Sequence, residues 1–262
     1  MIGRLARLLA IAAVAMAGTG PARAAPPAPS CRSPLAGPVG TSSCPGVRPG
    51  AMYFADNGNG CSMSFVFHGS DRHEYVASAG HCIWADSNLG SPADKEAKWK
   101  PGAGMPVSDP SGQRIGRFAY GIWTDERDFS LIRLDSGVQA SAAMCYFGGP
   151  VSMYTAHSSG IVFLKHFGNG LIYGDTIPAR TALARNTLDA HYVYAYAAAL
   201  PGDSGSAVMT EDGQAIGTLV DLDGDGTVAM TRLDTSVAEA ERYMHVRLSL
   251  QRAAMSPDLI HL

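Results

Sequence analysis

From Ala51 onward the chain is a succession of short apolar runs cut by Gly, Asn, Asp and Pro. In the first half these are Ser62–Phe67, which alternates polar and apolar residues, then Glu74–Ser78, Ile115–Tyr120 and Phe129–Leu134. The second half repeats the style with Ile161–Phe167, Leu171–Gly174, Tyr192–Tyr196, Ala207–Met209, Ala215–Val220 and Val228–Arg232. Many short strands at close spacing predict an all-β fold, a barrel or a sandwich. The stretch 86–110 carries Gly, Pro, Asp and Lys and reads mostly as loop. A single helix is expected near the end, where Asp234-Thr235-Ser236 offers a cap and Val237–Val246 follows with helix formers. No internal repeat is visible.

The first residues read as an export signal. Arg4 and Arg7 precede an uncharged apolar run, Leu8–Ala17, and Ala22-Arg23-Ala24 places small residues on either side of a cleavage point. The run is shorter than the roughly 20 residues a helix needs to cross a bilayer. Residues 1–24 therefore predict a secretory signal peptide cut after Ala24, and a secreted product. Residues 25–50, rich in Pro, Gly, Ser and Ala without apolar periodicity, read as an extended arm or propeptide. Removing the signal leaves 238 residues with 17 basic and 23 acidic side chains, a formal charge of −6. A chain of this length can bury a core without a metal. It shows no basic stripe for nucleic acid and no later run apolar enough to span a membrane.

Export permits disulfides. The five cysteines are Cys31, Cys44, Cys61, Cys82 and Cys145, so at least one is free or paired elsewhere. Cys61 and Cys82 bracket a histidine patch, and a bridge between them would pin its loop. Cys31, Cys44 and Cys145 allow three further pairings.

Three patches carry chemistry: Ser78-Ala79-Gly80-His81-Cys82, Arg127-Asp128-Phe129-Ser130-Leu131-Ile132-Arg133-Leu134 and Pro201-Gly202-Asp203-Ser204-Gly205-Ser206. A serine hydroxyl is a poor nucleophile until an imidazole takes its proton. A carboxylate then fixes the imidazole tautomer and stabilises its charged form. Ser204, His81 and Asp128 suit these roles. The amides of Gly202 and Ser204 are candidates for an oxyanion hole, because Gly202 lacks a side chain and lets the chain aim its N–H inward.

These patches resemble the chymotrypsin-like serine endopeptidases, most closely their bacterial secreted branch. Ala79-Gly80-His81-Cys82, Asp128-Phe129-Ser130-Leu131-Ile132 and Gly202-Asp203-Ser204-Gly205 are similar to its histidine, aspartate and nucleophile motifs, in the same order along the chain. The resemblance covers about Ala51 to Val246 and implies two perpendicular six-stranded β-barrels with a short C-terminal helix. Residues 51–150 would form the barrel carrying His81 and Asp128, and residues 151–262 the barrel carrying Ser204. It implies a Cys61–Cys82 bridge beside the histidine, a protein or peptide substrate, a monomer, and no cofactor or metal. It also places Ala198 at the floor of the primary substrate pocket, where no acid stands to select Lys or Arg.

The chain departs from the resemblance in places. Ser206 stands where many members have glycine. Val220 falls near a serine that often supports the aspartate. No Arg or Lys is followed by the Ile/Val-rich start that would give a new N-terminus for Asp203. A catalytically inactive binding protein on the same fold is the alternative reading. An α/β-hydrolase using Ser204, Asp234 and His245 is a third, but Ser206 breaks its G-x-S-x-G elbow. Asp221-Leu222-Asp223-Gly224-Asp225-Gly226 resembles the start of a calcium loop, yet the twelfth position is Arg232 rather than glutamate, so a polar turn is expected. The other histidines, His68, His73, His157, His166, His191, His245 and His261, lack metal-ligand spacing. Asp221, Asp223 and Asp225 are placed near the pocket rim, where they would favour basic substrates.

Overall fold

The computed structural model describes residues 44, 46–84, 95–168, 170, 178–222 and 225–256. The signal segment, most of the arm, Cys31, the expected strand Leu171–Gly174, and Asp223 and Gly224 lie outside the described residues.

The first half forms strands β1 (Met52–Ala55), β2 (Gly60–Ser62), β3 (Val66–Gly69) and β4 (Glu74–Ser78), a one-turn helix α1 (His81–Trp84), then β5 (Lys95–Lys98), β6 (Pro106–Ser108), β7 (Arg114–Trp123) and β8 (Asp128–Leu134). The second half contributes β9 (Ser152–Met153), β10 (Val162–Phe167), β11 (Ala179–Ala184), β12 (Tyr192–Ala197), β13 (Ala207–Thr210), β14 (Gln214–Leu222) and β15 (Thr227–Arg232). Helix α2 (Leu233–Met244) and β16 (Leu248–Leu250) follow.

Six strands of the second half close on themselves in the order β13-β10-β11-β12-β15-β14, with β14 returning to β13; β9 adds a short parallel pairing to β14. The first sheet holds nine strands in the order β16-β3-β4-β8-β7-β6-β1-β2, with β5 on β7. Two of the nine are additions: the ten-residue β7 serves two partners, β6 along its start and β5 along its end, and β16 returns from beyond α2 to pair with β3. Together these are the two β-barrels of a chymotrypsin-type fold. Each has its own core: Tyr53, Phe65, Phe67, Phe118 and Ile132 in the first, Leu164, Val193, Ile216 and Met230 in the second. Burying each large side chain contributes about 1.5–3 kcal/mol.

Local expectations meet four corrections. The run Ser62–Phe67 divides between β2 and β3, because Ser62 N–H turns to the Ser204 carbonyl (2.7 Å) and Met63 N–H to that of Ala51 (2.7 Å). The 86–110 stretch contains β5 and β6. Helix α2 starts at Leu233, ahead of the expected cap: Arg232 is the N-cap without a side-chain bond, and Asp234 is drawn to the buried Arg232 (3.0 Å) instead of capping. The helix ends at Met244, where His245 takes a left-handed φ of 59°.

Candidate active site

The site lies where the sheets meet. Strands β4 and β8 are antiparallel neighbours with Ser78 opposite Ser130. The end of β4 and the start of β8 therefore coincide in space, which brings His81, three residues past β4, to Asp128, the first residue of β8. His81 Nδ1 lies 2.7 Å from Asp128 Oδ2. The other carboxylate oxygen accepts the Gly80 and His81 backbone N–H groups at 2.5 and 2.9 Å. With the carboxylate ionised and both oxygens accepting, Nδ1 carries the proton and Nε2 is left as a base. Burial works against the imidazolium, but the charge and hydrogen bond of Asp128, with the charge of Asp221, outweigh it and raise the His81 pKa above 6.5.

Val220 brings no hydroxyl to Asp128; instead Thr231 Oγ1 donates to the Asp128 carbonyl at 2.6 Å. The loop around His81 is held by the Cys61–Cys82 disulfide and by Asn57 and Asn59, whose side chains donate to the Ile83 and Cys82 carbonyls at 3.1 and 3.2 Å. Both thiols are consumed in that bridge, so the grouping of Cys61, His81 and Cys82 is no metal site. A second bridge joins Cys44 to Cys145.

Ser204 sits in the turn between β12 and β13. Gly202 and Gly205 hold φ at 100° and 88°, which L side chains rarely adopt. A Cβ on Gly205 would also collide with the Ser62 carbonyl and Ser78 Oγ. The amides of Gly202 and Ser204 donate to no acceptor among the described residues, whereas Asp203, Gly205 and Ser206 are bonded to Leu200, Leu219 and Asp203. Ser204, His81 and Asp128 line one cavity of about 410 Å³. No hydrogen bond joins the Ser204 hydroxyl to His81; in ligand-free sites such bonds are often long and tighten with substrate.

The sequence reading placed Ala198 in the pocket. Ala198 is exposed and absent from the cavity wall, which Ala199, Leu200 and Pro201 form. The reason is one residue upstream of the wall: Arg180 Nη1 holds the Ala198 carbonyl at 3.0 Å, just past the end of β12, and the chain turns into the cavity only at Ala199.

Arg180 was missed. Its guanidinium forms a buried ion pair with Asp203, the residue before Ser204. Asp203 is fully buried and also accepts the Gly170 N–H at 2.7 Å and the Leu200 N–H at 2.8 Å. An internal cation thus stands where the sequence showed no new N-terminus for this acid. The signal was present in β11, where Arg180 falls in phase with the buried Ala182 and Ala184.

Beside this pair lies His166, buried opposite Arg180 in the β10–β11 register. Neither ring nitrogen makes a well-formed hydrogen bond. Burial first, then the charge of Arg180, pushes its pKa down to about 4, against weaker opposing pulls from Asp203 and the Ala198 carbonyl. The unfolded chain therefore binds a proton that the fold resists between pH 6.5 and 4. Stability from this group is full above pH 6.5 and declines as pH falls. We expect a loss of about 2 kcal/mol by pH 5 relative to His166→Gln. Denaturant titrations of both proteins at pH 7 and 5 check this; His81, raised above 6.5, acts in the opposite sense in both and cancels.

The remaining expectations resolve briefly. Asp234 pairs with Arg232 and His245 is an exposed helix end, and nearly all pairings are antiparallel, so no α/β-hydrolase site forms. Asp225 accepts from Thr227 N–H and Oγ1 at 2.9 and 2.6 Å, as a polar turn does.

No protein-family profile matches the sequence, and no curated protein is detectably similar to it in sequence. Solved structures are similar in fold. Thermobifida fusca protease A superposes with a TM-score of 0.51 at 18% identity, covering 79% of this chain and 100% of that one. Cellulomonas bogoriensis chymotrypsin gives 0.52 at 17%, covering 78% and 99%. A serine protease specific for glutamic acid, described as using a histidine triad in substrate binding, gives 0.52 at 18%, covering 78% and 100%. At such identities the likeness is one of architecture: this chain has the chymotrypsin-type double β-barrel found in bacterial serine proteases.

Proposed function

We propose that the protein is a secreted serine endopeptidase working through Ser204, His81 and Asp128. The observation that carries this reading is the ordered His81–Asp128 pair in one cavity with Ser204, beside two backbone amides with no acceptor among the described residues. Ser204 Oγ attacks the peptide carbonyl carbon while His81 Nε2 takes its proton. The oxygen, now negative, accepts from the Gly202 and Ser204 N–H groups, an interaction worth roughly 10²–10³ in turnover per donor. Collapse breaks the C–N bond, with His81 returning its proton to the leaving amine. Water then repeats the sequence on the acyl-enzyme, and no cofactor is required. The Cys44–Cys145 and Cys61–Cys82 disulfides support an oxidising compartment, in keeping with cleavage of residues 1–24 on export. No helix among the described residues is long and apolar enough to cross a membrane.

The test is labelling of the secreted, processed protein with a fluorophosphonate, read by intact mass. One adduct per chain that disappears in Ser204→Ala is expected. A folded protein that takes up no label would sink the enzyme reading and leave a binding protein on a protease fold.

A further inference from the structure

The geometry points to a substrate with lysine or arginine immediately before the residue whose carbonyl is attacked, its cation held between Asp125, Asp221 and the aromatic wall of the cleft. This rests on the endopeptidase reading and names the substrate of the same site.

The cavity wall carries three carboxylates, Asp125, Asp128 and Asp221, and among the described residues no lysine or arginine. Asp128 is committed to His81. Asp125 and Asp221 are exposed, form no ion pair among the described residues, and accept at most a neighbouring amide, the Leu222 N–H to Asp221 at 2.8 Å. Both line the same cavity as Tyr192 and Tyr194. Trp123 stands on the same side, its ring 6.3 Å from that of His81. Carboxylates with aromatic faces suit an extended cationic side chain, which gains from charge and from the ring quadrupole.

Strand pairing fixes which substrate residue arrives there. β14 pairs with β13 only as far as Thr218, with two further bonds at Leu219, whose N–H donates to the Ser206 carbonyl and whose carbonyl accepts the Gly205 N–H. Beyond that, Val220–Leu222 keeps β15 on one side and no strand among the described residues on the other. An extended peptide can add to that open edge, and its side chains then alternate between the two faces. The residue whose carbonyl meets Ser204 drops into the apolar part of the cavity formed by Ala199, Leu200, Pro201 and Ala229. Its predecessor faces the other way, toward His81 and the Asp125 hairpin.

Both carboxylates are solvated, so the expected preference is modest, about tenfold for Lys over Gln, and it should shrink in 1 M salt, where screening acts within about 3 Å. Two readouts test this. Ser204→Ala protein is titrated with capped peptides that differ only in Lys, Gln or Glu at the position in question, and the wild type is profiled with a positional library at that position. We expect the Lys and Arg preference in both, falling to near unity in the Asp125→Asn/Asp221→Asn protein, whose melting curve reports that it is folded. A flat profile, a preference for glutamate, or a lysine preference that survives the double substitution would overturn the inference. A wild type inert to fluorophosphonate whose Ser204→Ala form still binds the lysine peptide tenfold tighter would uphold the cation site and remove the endopeptidase reading.

Discussion

Asp128→Asn should leave the barrels intact and lower kcat about 10⁴-fold, or roughly 5.5 kcal/mol of transition-state stabilisation. The carboxylate makes three hydrogen bonds, and all of them are to donors: the Gly80 and His81 amides on one oxygen and the imidazole on the other. An asparagine can keep its carbonyl oxygen on the two backbone donors, which preserves the loop. Its NH₂ then faces His81 Nδ1, and two donors cannot meet. The ring relieves the conflict by moving its proton to Nε2, the nitrogen that must accept from Ser204. The base is lost without moving an atom of the backbone. Rates on a cleaved peptide, with a melting curve beside them, measure this. A loss below tenfold in a folded protein would show that Asp128 does not orient His81. The imidazolium also loses the counter-charge that raises the His81 pKa, so whatever His81-dependent activity remains should set in at a lower pH.

How much of this was legible before the coordinates depends on what each segment uses to stay in place. Strands β4 and β8 were readable almost to the residue, because they are central strands buried on both faces and rich in apolar residues. β5, Lys95-Glu96-Ala97-Lys98, was unreadable: three of its four residues are charged, and what makes it a strand is its pairing to β7, a non-local fact. β11 was missed because alanine and arginine carry no strand preference, although Arg180 sits at an inward position. The start of α2 was misplaced because Asp234 could cap or form an ion pair, and only the fold puts the buried Arg232 within its reach. At the site, the histidine, aspartate and serine patches are local in sequence and were visible. Ala198, expected at the pocket floor, comes one residue before the lining residues Ala199, Leu200 and Pro201, and its carbonyl is taken by Arg180 from the neighbouring strand, which no local pattern announces. Sequence patterning reports burial of a segment on its own; it does not report which distant side chain will claim a backbone group.

Arg180→Met should be the most damaging change away from the proposed triad, destabilising the protein by about 3–5 kcal/mol. Asp203 has no solvent exposure, and the substitution strips its cation while leaving its charge. The Gly170 and Leu200 amides remain as donors, yet neither brings a full positive charge to offset desolvation. For a domain of this size that corresponds to a fall in melting temperature of roughly 10 °C. Activity should fall further than stability accounts for. Asp203 lies between Gly202 and Ser204, so the direction of both amides proposed for the oxyanion hole depends on where its side chain is anchored. Released from Arg180, the carboxylate seeks water, and the turn must rotate to let it. The pairing can be separated from simple loss of bulk by adding Asp203→Asn: with the charge gone on both sides, most of the stability should return, while the oxyanion amides stay misdirected and kcat stays low. If the double variant is as unstable as Arg180→Met alone, the arginine matters for packing around His166 and the Ala198 carbonyl rather than for the ion pair. If Arg180→Met turns over substrate normally in a folded protein, Asp203 is held by its backbone donors and the internal cation does not set the nucleophile turn.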